Sequence, residues 1–461
     1  MKRRNFIRFS AASSLLATTS WKSLAYTGGY NAQTFNEPAK EIPIAGEYDV
    51  VVSGAGPAGV IAAIEAGRSG ASVLLLELQG CLGGVWTSGL LSWVLDQQNK
   101  PGIMRELEER LEKMGAKCAI DTGANLAYDV EKMKLLLEIM CQEAQVDVLL
   151  HTRVVSAAKD SNNRLSHVIT ESKSGRQAWA GTIFIDASGD GDLAALSGCS
   201  YDLGSEDDQS FQPMSMLAVI GGVRFEEIKD YVRWAGDTGS GSKKRLLAEI
   251  VKGGMLPSYT NPGIYPISED LFMIMANHEY GFSALDAKAV TQATMQARLE
   301  LHKIIDGLKT LNGPWQNLRL VATAQQIGIR EARRIHGLYT VTESDLVNGI
   351  RHDDAVCRVT FGVDVHSVNK HDESKDTRYN RNVKSKPYDI PLRALIAKDV
   401  GGLMMAGRCI SGDFLAHASY RVTGNAVAMG QAAGRAAAKA AQLNVLPQEV
   451  PFKSLGISVS A

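Results

Sequence analysis

At 461 residues the chain is too long for one small core, so two structural units, not necessarily consecutive in sequence, are expected. Hydrophobic residues at 45% and charged ones at 21% sit near the averages for soluble globular proteins and argue against a disordered chain or a membrane bundle. With 49 Lys and Arg against 50 Asp and Glu, the formal charge of -1 removes the electrostatic basis for binding nucleic acid or anionic lipid over a broad surface, and the expected ligand is a small molecule.

The chain opens with MKRRNFIRF, in which Arg3 and Arg4 precede Phe6 and a small, mildly apolar run that ends near Ser23-Leu24-Ala25. This resembles a twin-arginine export signal over residues 1–25, whose machinery carries folded proteins and suits one that takes up a cofactor before export. Residues 26–47, rich in Gly, Asn, Pro and Glu, read as a linker. No later stretch reaches the roughly 18 unbroken apolar residues of a membrane helix, so no stable membrane insertion is expected once the signal is removed. The expected location is periplasmic or secreted, with a cytoplasmic protein bearing a basic N-terminus as the alternative.

Tyr48 to Ser53 reads as a buried strand, Pro57 to Ser69 as a helix and Ser72 to Glu77 as a second strand, a βαβ unit. Amphipathic helices follow over Gly102 to Met114 and Asp129 to Ala144. VDVLLHTRVV, LSHVITES and AGTIFIDAS read as strands of a meander, separated by polar turns. From about residue 205 to 320 the pattern turns helical, clearest in KRLLAEIVKGG and ALDAKAVTQATMQARLELHKIIDGLKTL. IGIREARRI then reads as a helix with Arg330 and Arg334 on one face, paired to Glu331 or Asp345 or reaching an anionic ligand. A polar loop from His366 to Lys386, a strand in GLMMAG and a helix from Gly424 to Leu443 complete the chain.

Gly54, Gly56 and Gly59 fall where strand meets helix: Gly54 allows the tight turn, Gly56 lets backbone approach a pyrophosphate, and Gly59 lets helix and strand pack closely. Pro57 and Ala58 open the helix between them. Glu77 ends the second strand where a carboxylate can accept from ribose hydroxyls. Either NAD or FAD fits this first unit. Three further glycine corners, Gly83-Gly84, Ala187 to Asp190 including Gly189, and Gly407-Arg408, suggest a longer ligand crossing the carboxyl edge of the sheet, and FAD fits best. The six cysteines, Cys81, Cys118, Cys141, Cys199, Cys357 and Cys409, show no C-x-x-C or zinc spacing, so neither a metal nor dithiol chemistry is expected.

The blocks GAGPAG, GCLGG, FIDASGDGDLA, IGIREARRI, YDIPLRAL and AGRCIS together resemble the FAD-dependent oxidoreductase family of the glutathione-reductase-type flavoprotein superfamily. The resemblance implies an α/β fold: a Rossmann-like FAD-binding domain of parallel sheet and β-meander over residues 46–205 and 321–445, with a mostly helical or α+β substrate-side domain over 206–320 and a tail over 446–461. It implies that Gly54, Gly56, Gly59 and Glu77 hold the adenosine diphosphate half, that Gly83 and Gly84 lie along the pyrophosphate and ribityl chain, and that backbone near Val154 meets the adenine. The C-terminal block also resembles fumarate-reductase-like flavoproteins, through Arg421 followed by Gly424, Asn425 and Ala426. Free N–H groups at that helix start would stabilise charge on a reduced flavin, and Arg421 would reinforce the field or clasp an anionic substrate. Caps by Thr423 or Asn425 would equally explain the local residues. Arg408 stands where several relatives carry an acidic residue.

Flavin chemistry that moves a hydride calls for a nearby acid or base. His417, four residues before Arg421, His366, after an alternating strand, and His278 are the candidates. No second G-x-G-x-x-G supports a resident NADH donor. The expected function is an exported FAD-dependent oxidoreductase, dehydrogenase-like, moving a hydride between a small organic substrate and flavin and passing electrons to an unidentified acceptor. Alternatives are a noncatalytic or partner-dependent FAD-binding electron-transfer protein, a fumarate-reductase-like reductase, or a nicotinamide-binding dehydrogenase.

Overall fold

The computed structural model describes residues 34–206, 209–366 and 382–459; the expected leader, the linker up to residue 33 and most of the polar loop lie outside them. Val50, Val51 and Val52 have no exposed surface, as in a parallel strand covered on both faces, and form the middle of β1 (Ile44–Ser53). Pro57 opens α1 (Pro57–Arg68), where its missing N–H costs no helical bond, and β2 (Val73–Leu76) returns parallel to β1. The two-residue β3 (Trp93–Val94) and β4 (Leu126–Ala127) pair with each other. Between and after them α2 (Ile103–Lys113) buries Leu107 and Leu111, and α3 (Val130–Glu143) is capped by Asp129, which accepts from the N–H groups of Glu131 and Lys132.

Next come β5 (Val146–Leu149), β6 (Arg153–Lys159), β7 (Leu165–Ser172) and β8 (Gly175–Asp186). The sheet runs β5-β2-β1-β8-β7-β6, and the strand Leu403–Met405 also joins β8. The first half of β8 pairs antiparallel with β7, the second half parallel with Leu403–Met405, and β1 lies along its other edge. Registers of Ser53 with Leu76 and with Asp186, and of Asp186 with Met405, bring four strand ends to one edge of the sheet. The C-terminal helix Thr423–Leu443 lies on α1 so closely that a Cβ on Gly430 or Gly434 would come within 2.2 Å of the Ala58 or Ala62 carbonyl oxygen.

Four expectations are corrected. Ile44 to Glu47 belong to β1 rather than a linker, because they pair with Ala178 to Ala180 of β8. VDVLLHTRVV is not one strand: His151 takes a positive φ of 53°, which sends β5 to the parallel sheet and β6 to the meander. After α4 (Asp192–Leu196) and the two-residue β9 (Tyr201–Asp202), the substrate-side region takes the α+β form of the expected pair, with an antiparallel sheet whose strands the helical pattern of 205–320 did not single out. It consists of β10 (Leu217–Gly221), β11 (Gly263–Pro266), β12 (Leu271–Met275) and β13 (Arg319–Thr323), in the order β11-β12-β10-β13, with α5 (Phe225–Ile228), α6 (Gly241–Lys252) and α7 (Ala287–Lys309).

IGIREARRI is extended, not helical. Its backbone is bonded outward, Gly328 to Ser215 in both directions and Arg334–Ile335 to β9, and those long-range bonds outweigh local helix preference. The presumed tail is part of the fold, with Val450 and Leu455 buried in the main core. Residues 42–461 form one compact unit whose described residues hold two large apolar cores and a small cluster at Phe414 and Leu415, and the second core takes Leu90, Trp93, Ala127 and Val130 from the first part of the chain. Residues 34–41 are exposed and without regular structure, with an ion pair of 3.5 Å between Lys40 and Glu37. Among the described residues no helix is long and apolar enough to cross a membrane.

Candidate active site

The aligned strand ends open onto a cavity of about 1170 Å³, which runs from the first glycine corner to the antiparallel sheet. Gly54 turns with φ at 93° and sits so close to the Ala187 corner that a Cβ would lie 2.7 Å from the Ala187 carbonyl oxygen. Gly56 faces the opposite situation: it lines the cavity, and a Cβ there would meet nothing within 4 Å. Pro57 and Ala58 line the wall beside it. Gly59 does not reach the cavity; its Cβ would stand 1.9 Å from the Gly54 carbonyl oxygen, so it serves helix-strand packing. Glu77 lines the cavity and accepts at 2.7 Å from both the Ala55 and Gln79 N–H groups. Burial pushes this carboxyl up, and those backbone donors oppose the shift.

Gly84 lines the cavity, and its Cβ would fall 2.8 Å from the Gly56 Cα. Gly83 lies outside the lining, where it donates to the Ala55 carbonyl at 2.8 Å and fixes the loop with φ at 102°. Val154, Ala187, Gly189, Asp190, Gly407 and Arg408 all line the same cavity. Arg408 pairs with Asp190 at 2.6 Å. At the C-terminal helix the outcome is divided. Arg421 and Ala426 line the cavity together with Val422 and Thr423, but Gly424 and Asn425 do not. Gly424 donates to the Leu95 carbonyl at 3.1 Å, and the Asn425 and Ala426 N–H groups turn to Val422, so these three donors are not free for a flavin. Neither Thr423 nor Asn425 caps the helix.

His366 lines the cavity and His417 does not. His417 is wholly buried in the helix Phe414–Tyr420, edge-to-face on Tyr420, with both ring nitrogens unpartnered among the described residues. His366 Nε2 lies 3.3 Å from Asp364 Oδ2, which leaves Nδ1 as the proton-accepting nitrogen. Burial and then Arg330 push the imidazole down to about 4, against the pull of Asp364. Burial alone would raise the Asp364 carboxyl, but His366, Arg421 and Arg330 take it well below the usual carboxylate range.

Arg330 donates to the Pro213 carbonyl at 2.6 Å, to Ser215 Oγ at 2.8 Å and to His278 Nε2 at 3.1 Å. Because a guanidinium can only donate, His278 Nε2 must accept, so the ring carries its proton on Nδ1, 3.2 Å from Tyr280 Oη. Burial and Arg330 hold that imidazole well below its ordinary range. His278 and His366 meet edge-on with centroids 4.9 Å apart, and Tyr259 stacks on His278 at 4.0 Å. Of the three arginines, Arg334 pairs with Glu331 at 2.6 Å and Arg333 with Asp192 at 2.8 Å, so only Arg330 joins the histidines. Asp345 instead caps a helix and accepts from Tyr339.

Sequence reasoning missed Gln212, Arg233, Lys243, Tyr259, Tyr265 and Asp364, five of which line the cavity while Gln212 bonds to the His366 N–H at 3.1 Å. They carry no shared motif and meet only through folding of the antiparallel layer; the unbroken apolar run LFMIM was a local signal for a buried strand of that layer.

The residues present fit an FAD. The cavity is long and continuous, Gly56 leaves room for a ligand against backbone, and two buried donors in the wall, Arg408 Nη1 and Thr423 Oγ1, have no partner among the described residues. In solved structures the chain is similar to a geranylgeranyl bacteriochlorophyll reductase-like protein from Thermoplasma acidophilum, with 12% identity and a TM-score of 0.49 over 89% of this chain and 82% of that one. It is also similar to the flavin-dependent brominase Bmp2, with 14% identity and a TM-score of 0.45 over 89% and 82%. A myxobacterial chondrochloren halogenase, CndH, matches at 13% identity and a TM-score of 0.44 over 89% and 77%. No curated protein sequence matches the chain. The family described as FAD dependent oxidoreductase matches residues 49–457, nearly the whole described fold, and the chain belongs to that family of FAD-dependent enzymes.

Proposed function

We propose that the protein oxidises a small organic substrate by hydride transfer to FAD, with His366 as the base and Asp364 as the residue that orients it. The observation that carries this reading is that one continuous cavity joins the glycine corners at the sheet edge to the His366–Asp364 pair. Gly54, Gly56, Glu77, Gly84, Ala187, Gly407 and Ala426 would hold the cofactor, and FAD when bound supplies a two-electron acceptor for the hydride. The chain's own part is the proton. His366 Nδ1 takes it from the substrate hydroxyl or amine as the hydride leaves the adjoining carbon, and Asp364 holds the Nε2 proton so that the correct nitrogen is presented. Electrons then pass to a separate acceptor. Export through a twin-arginine leader is part of the proposal and is supported by Arg3, Arg4 and the small-residue run after Phe6.

The test is anaerobic bleaching of the oxidised holoenzyme by a panel of hydroxy acids, sugars and amines. Bleaching by at least one, with one oxidised product per flavin, supports dehydrogenation. A flavin that none of them reduces, yet that is reoxidised by an unsaturated acid after chemical reduction, would replace it with a reductase. Export is checked by cell fractionation, with Arg3→Lys and Arg4→Lys expected to retain the chain in the cytoplasm.

A further inference from the structure

The second-layer end of the cavity is walled by more positive than negative charge. Arg233, Lys243, Arg330 and Arg421 line it, with Asp364 as the carboxylate among them. Arg233 is an ion-pair partner of Asp237, a residue outside the lining. Arg330 spends its donors on Pro213, Ser215 and His278. The other two cations are not so satisfied. Lys243, on α6, makes no ion pair or hydrogen bond among the described residues, although burial and Arg233 act to lower its ammonium and only Asp364 and Asp237 oppose them. Arg421 gives one Nη to the Asp364 carbonyl at 2.9 Å and to Gln212 Oε1 at 3.4 Å, with Asp364 Oδ2 at 3.7 Å, while its buried Nε has no partner among the described residues. Gln212 is 2% exposed, and its Nε2, in the neighbourhood of the Glu331 carboxylate, has no well-formed hydrogen bond among the described residues.

Buried donors left unpaired are costly, and a partly buried ammonium with no directly bonded counter-ion adds to that cost. Arg421 Nε and Gln212 Nε2 are two such donors, and with the half-buried Lys243 ammonium they gather around Asp364 next to His366; Tyr259 and Tyr265 supply aromatic surface in the same wall. None of the three sits at the glycine corners where the dinucleotide phosphates belong. Lys243 comes from a helix of the antiparallel layer, and a flavin phosphate cannot satisfy it without leaving the sheet edge.

We infer that the substrate is a small organic acid whose carboxylate is bound by Lys243 and Arg421, with Gln212 as a further donor, beside the His366 base. This rests on the reading that the substrate occupies this end of the cavity. The carboxylate supplies acceptors to the unpaired donors and offsets the excess positive charge, and charge-assisted bonds to a buried carboxylate are among the stronger polar contacts available.

The test is calorimetric binding to the oxidised holoenzyme, which needs no turnover and therefore fails independently of the proposed oxidation. The probes are lactate, malate, succinate and glutamate, each beside its neutral amide or methyl ester. At least one acid should bind more tightly than its neutral partner, and Lys243→Met should raise that Kd about tenfold or more, as expected for loss of a charged hydrogen bond. Lys243→Arg, which keeps the charge, should stay within a few fold, which separates loss of the ammonium from loss of fold. Acids and neutral partners binding alike, or an unchanged Kd in Lys243→Met with normal flavin content, would overturn the inference.

Discussion

His366 and Asp364 lie two residues apart in sequence, and their pairing at 3.3 Å sets a pH dependence whose sign follows from the charges around them. The base works only when neutral, and burial with Arg330 holds it down to about 4, so kcat/KM should be flat above that pH and fall about tenfold per unit below it. Asp364→Asn removes the pull that raises the imidazole and should move this limb to lower pH. His366→Gln should slow flavin reduction about 10²- to 10⁴-fold with flavin content unchanged, measured by stopped-flow absorbance. Gly56 and Gly59 lie three positions apart in sequence and play different roles, one facing the cavity and the other the helix-strand packing. Gly56→Val adds atoms to open cavity, so the protein should fold with an unchanged Tm in apo form but lose bound flavin. Gly59→Ala drives a Cβ into the Gly54 carbonyl and should cost about 1–3 kcal/mol, read as a lower Tm with or without flavin.

At the scale of elements, the strongest legible signals were those whose cause is local. The apolar run before Gly54, the Pro57 helix start and the strands in LSHVITES and AGTIFIDAS formed as expected, because their backbone partners or buried faces follow from periodicity. IGIREARRI went the other way: its apolar spacing suits a helix, but its backbone is taken by Ser215 and by Tyr201–Asp202, which no local pattern reveals. The contact of α1 with the C-terminal helix is the element-level feature that holds the first glycine corner in place. Gly434→Ala would push a Cβ against the Ala62 carbonyl, lower stability by about 1–3 kcal/mol and, by shifting α1, weaken flavin retention. Thermal denaturation and the flavin-to-protein absorbance ratio measure both effects, and a normal ratio with a lowered Tm would detach the helix contact from the cofactor site.

For the whole molecule, burial holds His278, His366 and His417 below their ordinary range, so the folded chain refuses protons that the unfolded chain accepts near pH 6.5. The unfolded state therefore binds more protons as pH falls from about 6.5 toward about 4, and stability should decline across that window. His417→Leu should reduce the decline while leaving flavin content intact, because His417 is buried, without a partner among the described residues and outside the cavity lining; Tm measured against pH for both proteins tests this. The sequence by itself determined the dinucleotide corner, the βαβ unit and the family, since each depends on residues adjacent in the chain whose conformational demands are fixed by glycine, proline and side-chain period. Only the tertiary structure decided which histidine meets the cavity, that Gly424 and Asn425 turn from it, and that Lys243, Asp364 and Arg421 share one wall. Those placements depend on long-range strand pairing and burial, and the chain carries no local record of either.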